Sequence, residues 1–233
     1  GAAVEELKRA IRAQEGGAEV LLMDDDVLFK FAACRRFEME SAAKRYLNFI
    51  RLFQEYELSF EETPEVTKCL SRGIVHPGRF DKQGHPMLIA VPRNLDWKEV
   101  ATRDMQKTWF YCVWKAICSS PLAQSEGIVL ILIARGVRIS LFNREFHSFV
   151  GKAVQECMPM KVRKLFVVNQ PWIFGSVLWP LVSVFFSSKI RERVVFVGRN
   201  YDLLRDTVSV DSIPQELQQE LVLENEPAEE EQT

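Results

Sequence analysis

The sequence is short of the residues that announce chemistry. Its three histidines, His76, His85 and His147, stand apart, and its five cysteines (Cys34, Cys69, Cys112, Cys118, Cys157) are an odd number with no CxxC pair and no histidine at metal-ligand spacing. Neither a metal site nor a disulfide framework is expected, and reduced thiols in a cytosolic protein are. GxSxG, GxGxxG, HExxH and the phosphate-binding P-loop are all missing, so no enzyme and no cofactor is predicted. The first residues, GAAVEELKRAIRAQEGG, are charged from the fifth on and lack the apolar centre of a signal peptide, so secretion is not expected. Net charge is only −2, which gives no reason to expect a nucleic-acid partner.

What is present is a globular composition, 47% hydrophobic and 27% charged over 233 residues, enough for a substantial core. Charge is unevenly placed. Acid gathers at the end (Glu224, Glu226, Glu229, Glu230, Glu231), and base gathers at 161–164 and 189–193. From Val4 to about Tyr56 the period is helical, clearest where Ala42, Ala43, Tyr46, Leu47, Ile50 and Phe53 recur every three or four residues. A loop with Pro64 ends that region. The period then changes: GIVHPGRFDKQGHPMLIAVPRN places two apolar segments around DKQG, a turn signal with Gly84 free to take positive φ.

A helix is predicted over roughly Trp97 to Ser119, with Trp109, Phe110, Val113 and Ile117 on one face. A buried strand, GIVLILIA, follows at 127–134. A second helical stripe runs through Phe142, Phe146, Phe149, Val150, Ala153 and Cys157, and KLFVVN and RVVFVG read as further buried strands. Strands alternating with helices predict an α/β domain with a mixed, largely parallel sheet. The organisation expected is a helical region over 1–62, an α/β domain over 63–223 and a disordered acidic tail over 224–233.

Leu165 to Ser188 is a run of twenty-four uncharged residues between basic clusters. A bilayer span needs about 20 continuous apolar helical residues, and this run is broken: LFVVN reads as strand, Asn169-Gln170-Pro171 interrupts, and Gly175 and Pro180 weaken the rest. The helical remainder, 172–186, is apolar almost all round, whereas a surface helix should have a polar face. Two readings remain, a buried core helix and a helix whose inner face lines a cavity while Trp172, Trp179 and Phe186 dip into a membrane interface. The flanking bases favour transient adhesion to an anionic surface, at about 1 kcal/mol per Lys or Arg.

Several segments resemble the CRAL-TRIO lipid-binding domain, and within it the branch of the alpha-tocopherol transfer protein and the cellular retinaldehyde-binding protein. DDDVLFKFAACRRFEMESAAKRYLNF is similar to that family's N-terminal helical segment, and GRFDKQGHPMLIAV resembles the approach to its first strand. The most specific block is MPMKVRKLFVVNQPWIFGSVLWPLVSVFFSSKIRERVVFVGRNYDLLRDTVSVDSIPQEL. The resemblance covers about residues 20–217. It implies a CRAL-TRIO fold: a small helical bundle packed on an α/β domain with an apolar cavity and a mobile gate helix at about 172–186. It also implies a carrier that exchanges one hydrophobic ligand at membranes. A phosphoinositide-headgroup patch is implied at Lys161, Arg163, Lys189, Arg193 and Arg35, and a cytoplasmic location with transient visits to endosomal or other internal membranes.

Departures from the family pattern are ILIARGV, where Ala134 and Arg135 replace an acidic residue and glycine, a missing terminal YGG, FAACR in place of FLRAR, and a gate about one residue longer. They keep open a second reading, a protein-interaction module of the same fold with a filled pocket. On the carrier reading the inward apolar positions are Phe110 and Trp114 on the first long helix, and Ile128, Leu130 and Leu132 on the central strand. Phe146, Val150 and Val154 follow on the next helix, Leu165 and Val167 on the next strand, and Phe174, Val177 and Leu178 on the gate. Burial of each CH₂ contributes about 0.8 kcal/mol, so the ligand should be mostly hydrocarbon: a phospholipid, a tocopherol- or retinoid-like prenyl lipid, a sterol or a fatty acid.

Overall fold

The computed structural model describes residues 1–14, 21–198 and 201–222, so the acidic tail at 224–233 lies outside the described residues. The helical region comprises α1 (Ala2–Gln14), α2 (Asp25–Cys34), α3 (Met39–Glu55) and α4 (Pro64–Leu70). Local chemistry sets these limits. Asp24 caps α2 by accepting from the Val27 N–H, with Asp25 and Asp26 in its first turn, and Pro64 opens α4 where a missing N–H costs nothing. On α3 the stripe Ala42, Ala43, Tyr46, Leu47 and Ile50 is buried, joined by Phe49 and Leu52.

Five strands follow, β1 (Val75–Phe80), β2 (Pro86–Ala90), β3 (Ile128–Ile133), β4 (Val162–Val168) and β5 (Val194–Gly198), hydrogen-bonded in sequence order. β1 and β2 form an antiparallel hairpin whose turn uses Gly84 at φ +87°. The remaining pairs are parallel, so each connection must cross over a face of the sheet. The crossovers carry α5 (Thr102–Ser119), α6 (Leu122–Ser125) and α7 (Arg144–Lys152), the last extended by a π turn over Ala153–Cys157. Helix α5 begins five residues later than the sequence suggests, leaving Trp97 in the turn before it.

Alternation along the strands sends two sets of side chains to opposite faces. Met87, Ile89, Val129, Ile133, Phe166 and Val168 pack beneath α10 (Asp202–Arg205) and the segment through Ile213 and Leu217. Leu88, Leu130, Leu132, Leu165 and Val167 face α5, α7 and the helical region, in one apolar cluster that reaches back to Val4 and Leu7 of α1. The network around His85 locks the edge of the hairpin to the centre of the sheet. Its ring is 2% exposed, with Nδ1 3.0 Å from both oxygens of Asp81 and Nε2 3.0 Å from Oε2 of Glu126.

After β4 the chain runs through a π turn at Phe174–Leu178 into α8 (Trp179–Ser183) and α9 (Ser188–Arg191). Pro180 accounts for the π geometry: it has no N–H, and its ring would press on the carbonyl of Ser176 in a tight α turn. The widened turn closes instead by the Trp179 N–H donating to the Phe174 carbonyl, five residues back. No helix among the described residues is long and apolar enough to cross a membrane. The uncharged run is thus divided between a buried strand and this short helical segment.

Candidate functional site

A cavity of about 240 Å³ lies between the Leu130 face of the sheet, α5, α7 and the helical segment 172–183. Eight of the thirteen apolar residues expected at inward positions line it: Leu130, Leu132, Phe146, Val150, Leu165, Val167, Phe174 and Leu178. The other five are placed elsewhere. Phe110 and Trp114 belong to an aromatic cluster with Phe49, Phe53 and Phe60, where the Phe60 and Trp114 ring centres are 4.5 Å apart. The reason is helical geometry: on α5 the stripe Phe110–Trp114 points to the helical region, while the neighbouring stripe Met105–Trp109 points to the cavity. Ile128, at the first position of β3, and Val154, in the π turn after α7, are packed in the core away from the cavity. Val177 is half-buried and outside the lining.

The three aromatics expected to face a membrane also separate. Trp172 is 77% exposed, but Trp179 and Phe186 turn inward and line the cavity. In a regular α-helix a spacing of seven would keep Trp172 and Trp179 on one stripe. The π turn between them adds a residue and rotates Trp179 off that stripe, and Phe186 lies beyond the end of α8, out of helical phase. The apolar surface left outside consists of Trp172, Leu181 and Val184.

Sequence reasoning missed part of the wall. Trp97 lines the cavity with its indole N–H donating to the Leu141 carbonyl at 3.0 Å and its ring 5.6 Å from Phe146. Leu88, Met105, Trp109, Phe142 and His147 also line it. Trp97 and Phe142 lie outside the helices and strands, and Trp109 follows from the helical pattern only if α5 is known to be covered on two sides. His147 offered no sequence signal: a lone histidine on an apolar helix face is more often core than contact.

Both ends of the segment over the cavity are tied to the fold by polar contacts. At the start, Asn169 takes φ +55°, its N–H donates to the Gly198 carbonyl, and its side chain meets the Tyr201 hydroxyl. Gln170 Oε1 accepts from the Gly198 N–H at 3.1 Å. At the other end, Gln155 Nε2 donates to the Phe185 carbonyl (2.9 Å) and its Oε1 accepts from the Ser187 N–H (2.6 Å). Gly151 sits directly under Phe185: a Cβ there would come within 2.5 Å of the Phe185 carbonyl oxygen. Arg45 of α3 secures the element carrying Gln155, donating to the carbonyls of Met158 (2.6 Å), Val154 (3.4 Å) and Gln155. Burial lowers the guanidinium's pKa from its ordinary value, so these carbonyls at the end of the π turn stand in for lost water.

The five cations expected to form a headgroup patch have unequal freedom. Lys161 and Arg193 gather where β4 and β5 begin: Lys161 Nζ donates to the Ser125 carbonyl at 2.8 Å and Arg193 to the Val162 carbonyl. Arg35 approaches the same corner, since Cys34 beside it donates to the Met160 carbonyl, and its Nε donates to Ser41 Oγ at 2.7 Å. Arg163 is engaged, paired with Glu126 at 2.8 Å and bonded to Gln83 at 2.6 Å. Hydrogen bonding from His85 and the charges of His85 and Arg163 hold the Glu126 carboxyl below its ordinary pKa. Lys189 is exposed and makes no hydrogen bond or ion pair among the described residues.

Comparison with known proteins agrees with the fold and the branch read from the sequence. Clavesin-2 of Homo sapiens is 23% identical over 206 residues, covering 84% of this chain and 62% of that protein. Alpha-tocopherol transfer protein-like of Homo sapiens is 24% identical over 202 residues, covering 83% of the chain and 58% of that protein. The chain therefore spans about three fifths of the length of the curated relatives it matches. The crystal structure of Sfh5 superposes with a TM-score of 0.61 at 15% identity, covering 88% of this chain and 82% of that one. The family profile described as CRAL/TRIO domain matches residues 71–218, and the chain belongs to that family.

Proposed function

We propose that the protein holds one hydrophobic lipid in the cavity and exchanges it at membranes by displacement of the segment 172–183, rather than catalysing a reaction. One observation carries this reading: an aromatic-lined cavity of about 240 Å³ closed by a short helical segment that leaves Trp172, Leu181 and Val184 outside. A soluble core closes such a space with side chains, because every void forfeits dispersion contacts. Membership in the CRAL/TRIO family and relatives named for tocopherol transfer support the same class. Native mass spectrometry tests it. The expected result is a stoichiometric adduct, present on purification or after incubation with mixed lipid vesicles, that organic solvent removes; a mass that stays at the bare-chain value throughout would sink the reading.

The basic corner supplies the membrane contact in this reading, with anionic headgroups, phosphoinositides among them, as its partners at cytoplasmic membrane surfaces. Lys189 is the cation most available for it and Arg163 the least, because Glu126 already neutralises Arg163. In flotation with phosphoinositide-containing vesicles, Lys189→Ala should weaken binding about fivefold, the equivalent of roughly 1 kcal/mol per surface cation. Arg163→Ala should change it less. The reverse order, or binding indifferent to salt, would remove the patch from the proposal.

A further inference from the structure

The lining side chains are apolar except at His147 and the indole N–H groups, and His147 is the one titratable side chain among the described lining residues. Its ring is held in one orientation. Phe142 stacks on it (5.3 Å, 18° between planes), Phe185 lies 6.4 Å away at 30°, and Phe146 meets it edge-on at 5.6 Å. Nδ1 is 2.7 Å from the carbonyl oxygen of Asn143, which can only accept, so Nδ1 carries the hydrogen. Burial lowers the ring's pKa, which favours the neutral form. In a neutral ring protonated at Nδ1, Nε2 is purely an acceptor, and here it has no hydrogen-bond partner among the described residues.

Resting on the reading of the cavity as a lipid site, we propose that the ligand is an uncharged lipid bearing a hydroxyl group, whose O–H donates to Nε2 of His147 while its hydrocarbon body fills the cavity. Other lipid classes match the wall less well. A phosphate or carboxylate would be an unpaired ion, since no Lys or Arg lines the cavity among the described residues, and it would meet a lone pair rather than a donor. A pure hydrocarbon would leave Nε2 an unsatisfied acceptor in an apolar setting. A hydroxyl answers both conditions, and its oxygen can also accept from Trp109 or Trp179, whose indole N–H groups make no hydrogen bond among the described residues.

The test uses farnesol and farnesyl methyl ether as probes, because the ether keeps the acceptor oxygen and loses only the O–H donor. Titration calorimetry of the full chain should give about fivefold tighter binding of the alcohol, the worth of one net hydrogen bond. His147→Phe should bring the alcohol to the ether's affinity and leave the ether unchanged. Equal affinities in the unaltered protein overturn the inference and leave the cavity reading standing. Equal loss of both probes in the variant also overturns it, since the ring then acts by packing. Failure of both probes to bind the unaltered protein brings down the cavity reading and the inference together. Should His147→Phe not fold, the alcohol-to-ether ratio of the unaltered protein decides alone.

Discussion

Helix α5 has two aromatic sides that meet different surroundings. Phe110 and Trp114 enter a cluster with Phe49, Phe53 and Phe60 in which the space is filled by rings. One position away, Trp109 joins Trp97, Phe146 and Trp179 around a space left open. The residue types are alike, so aromatic content does not decide which side becomes a pocket. What differs is the partner: α3 and the turn at Phe60 fill the first side with rings, whereas the second faces the sheet, α7 and a short segment tied at its two ends across a cavity.

The sharpest way to break that contrast is to remove one ring from each side. Phe110→Ala should cost about 3–5 kcal/mol of stability, as for a large ring lost from a close-packed core. Phe146→Ala should cost about half as much or less, because that ring already borders empty space and its loss extends an existing cavity. Urea unfolding measures both. Equal costs would mean that the cavity wall is packed as tightly as the cluster.

A smaller effect sharpens the comparison through pH. The rings of the aromatic cluster carry no group that titrates near neutrality, but the cavity wall carries His147 with its pKa pushed down by burial. In the unfolded chain this histidine binds a proton near its ordinary pKa of about 6.5, and in the native protein it resists doing so. Its neutral form therefore contributes stability that is present above about pH 6.5 and is lost as pH falls below it. His147→Phe should flatten the decline in unfolding midpoint between about pH 7 and 5. An unchanged slope would show that the ring is not protected from water.

The buried strands, the turn at Gly84 and the two crossover helices were legible in the sequence because each rests on a period or a turn residue, whereas the order of the strands was not read from it. The helical region and the division of the uncharged run at Asn169-Gln170-Pro171 were legible for the same reason. Which side of α5 faces the cavity was not, since Met105, Trp109, Phe110 and Trp114 are all apolar and period alone cannot rank two adjoining stripes. Trp179 was misplaced because the π turn depends on how Pro180 is accommodated, which a count of seven residues does not reveal. Arg163 looked as free as Lys189 until Glu126, thirty-seven residues away, was brought beside it.

The contact between Gly151 and Phe185 sets a limit of a different kind. The carbonyl of Phe185 rests where the first carbon of any other side chain would stand, 2.5 Å from its ideal position. Any side chain at that position would therefore act as a wedge, pushing the backbone at Phe185 away from Gly151. How closely the two segments approach is set by an atom that glycine does not have.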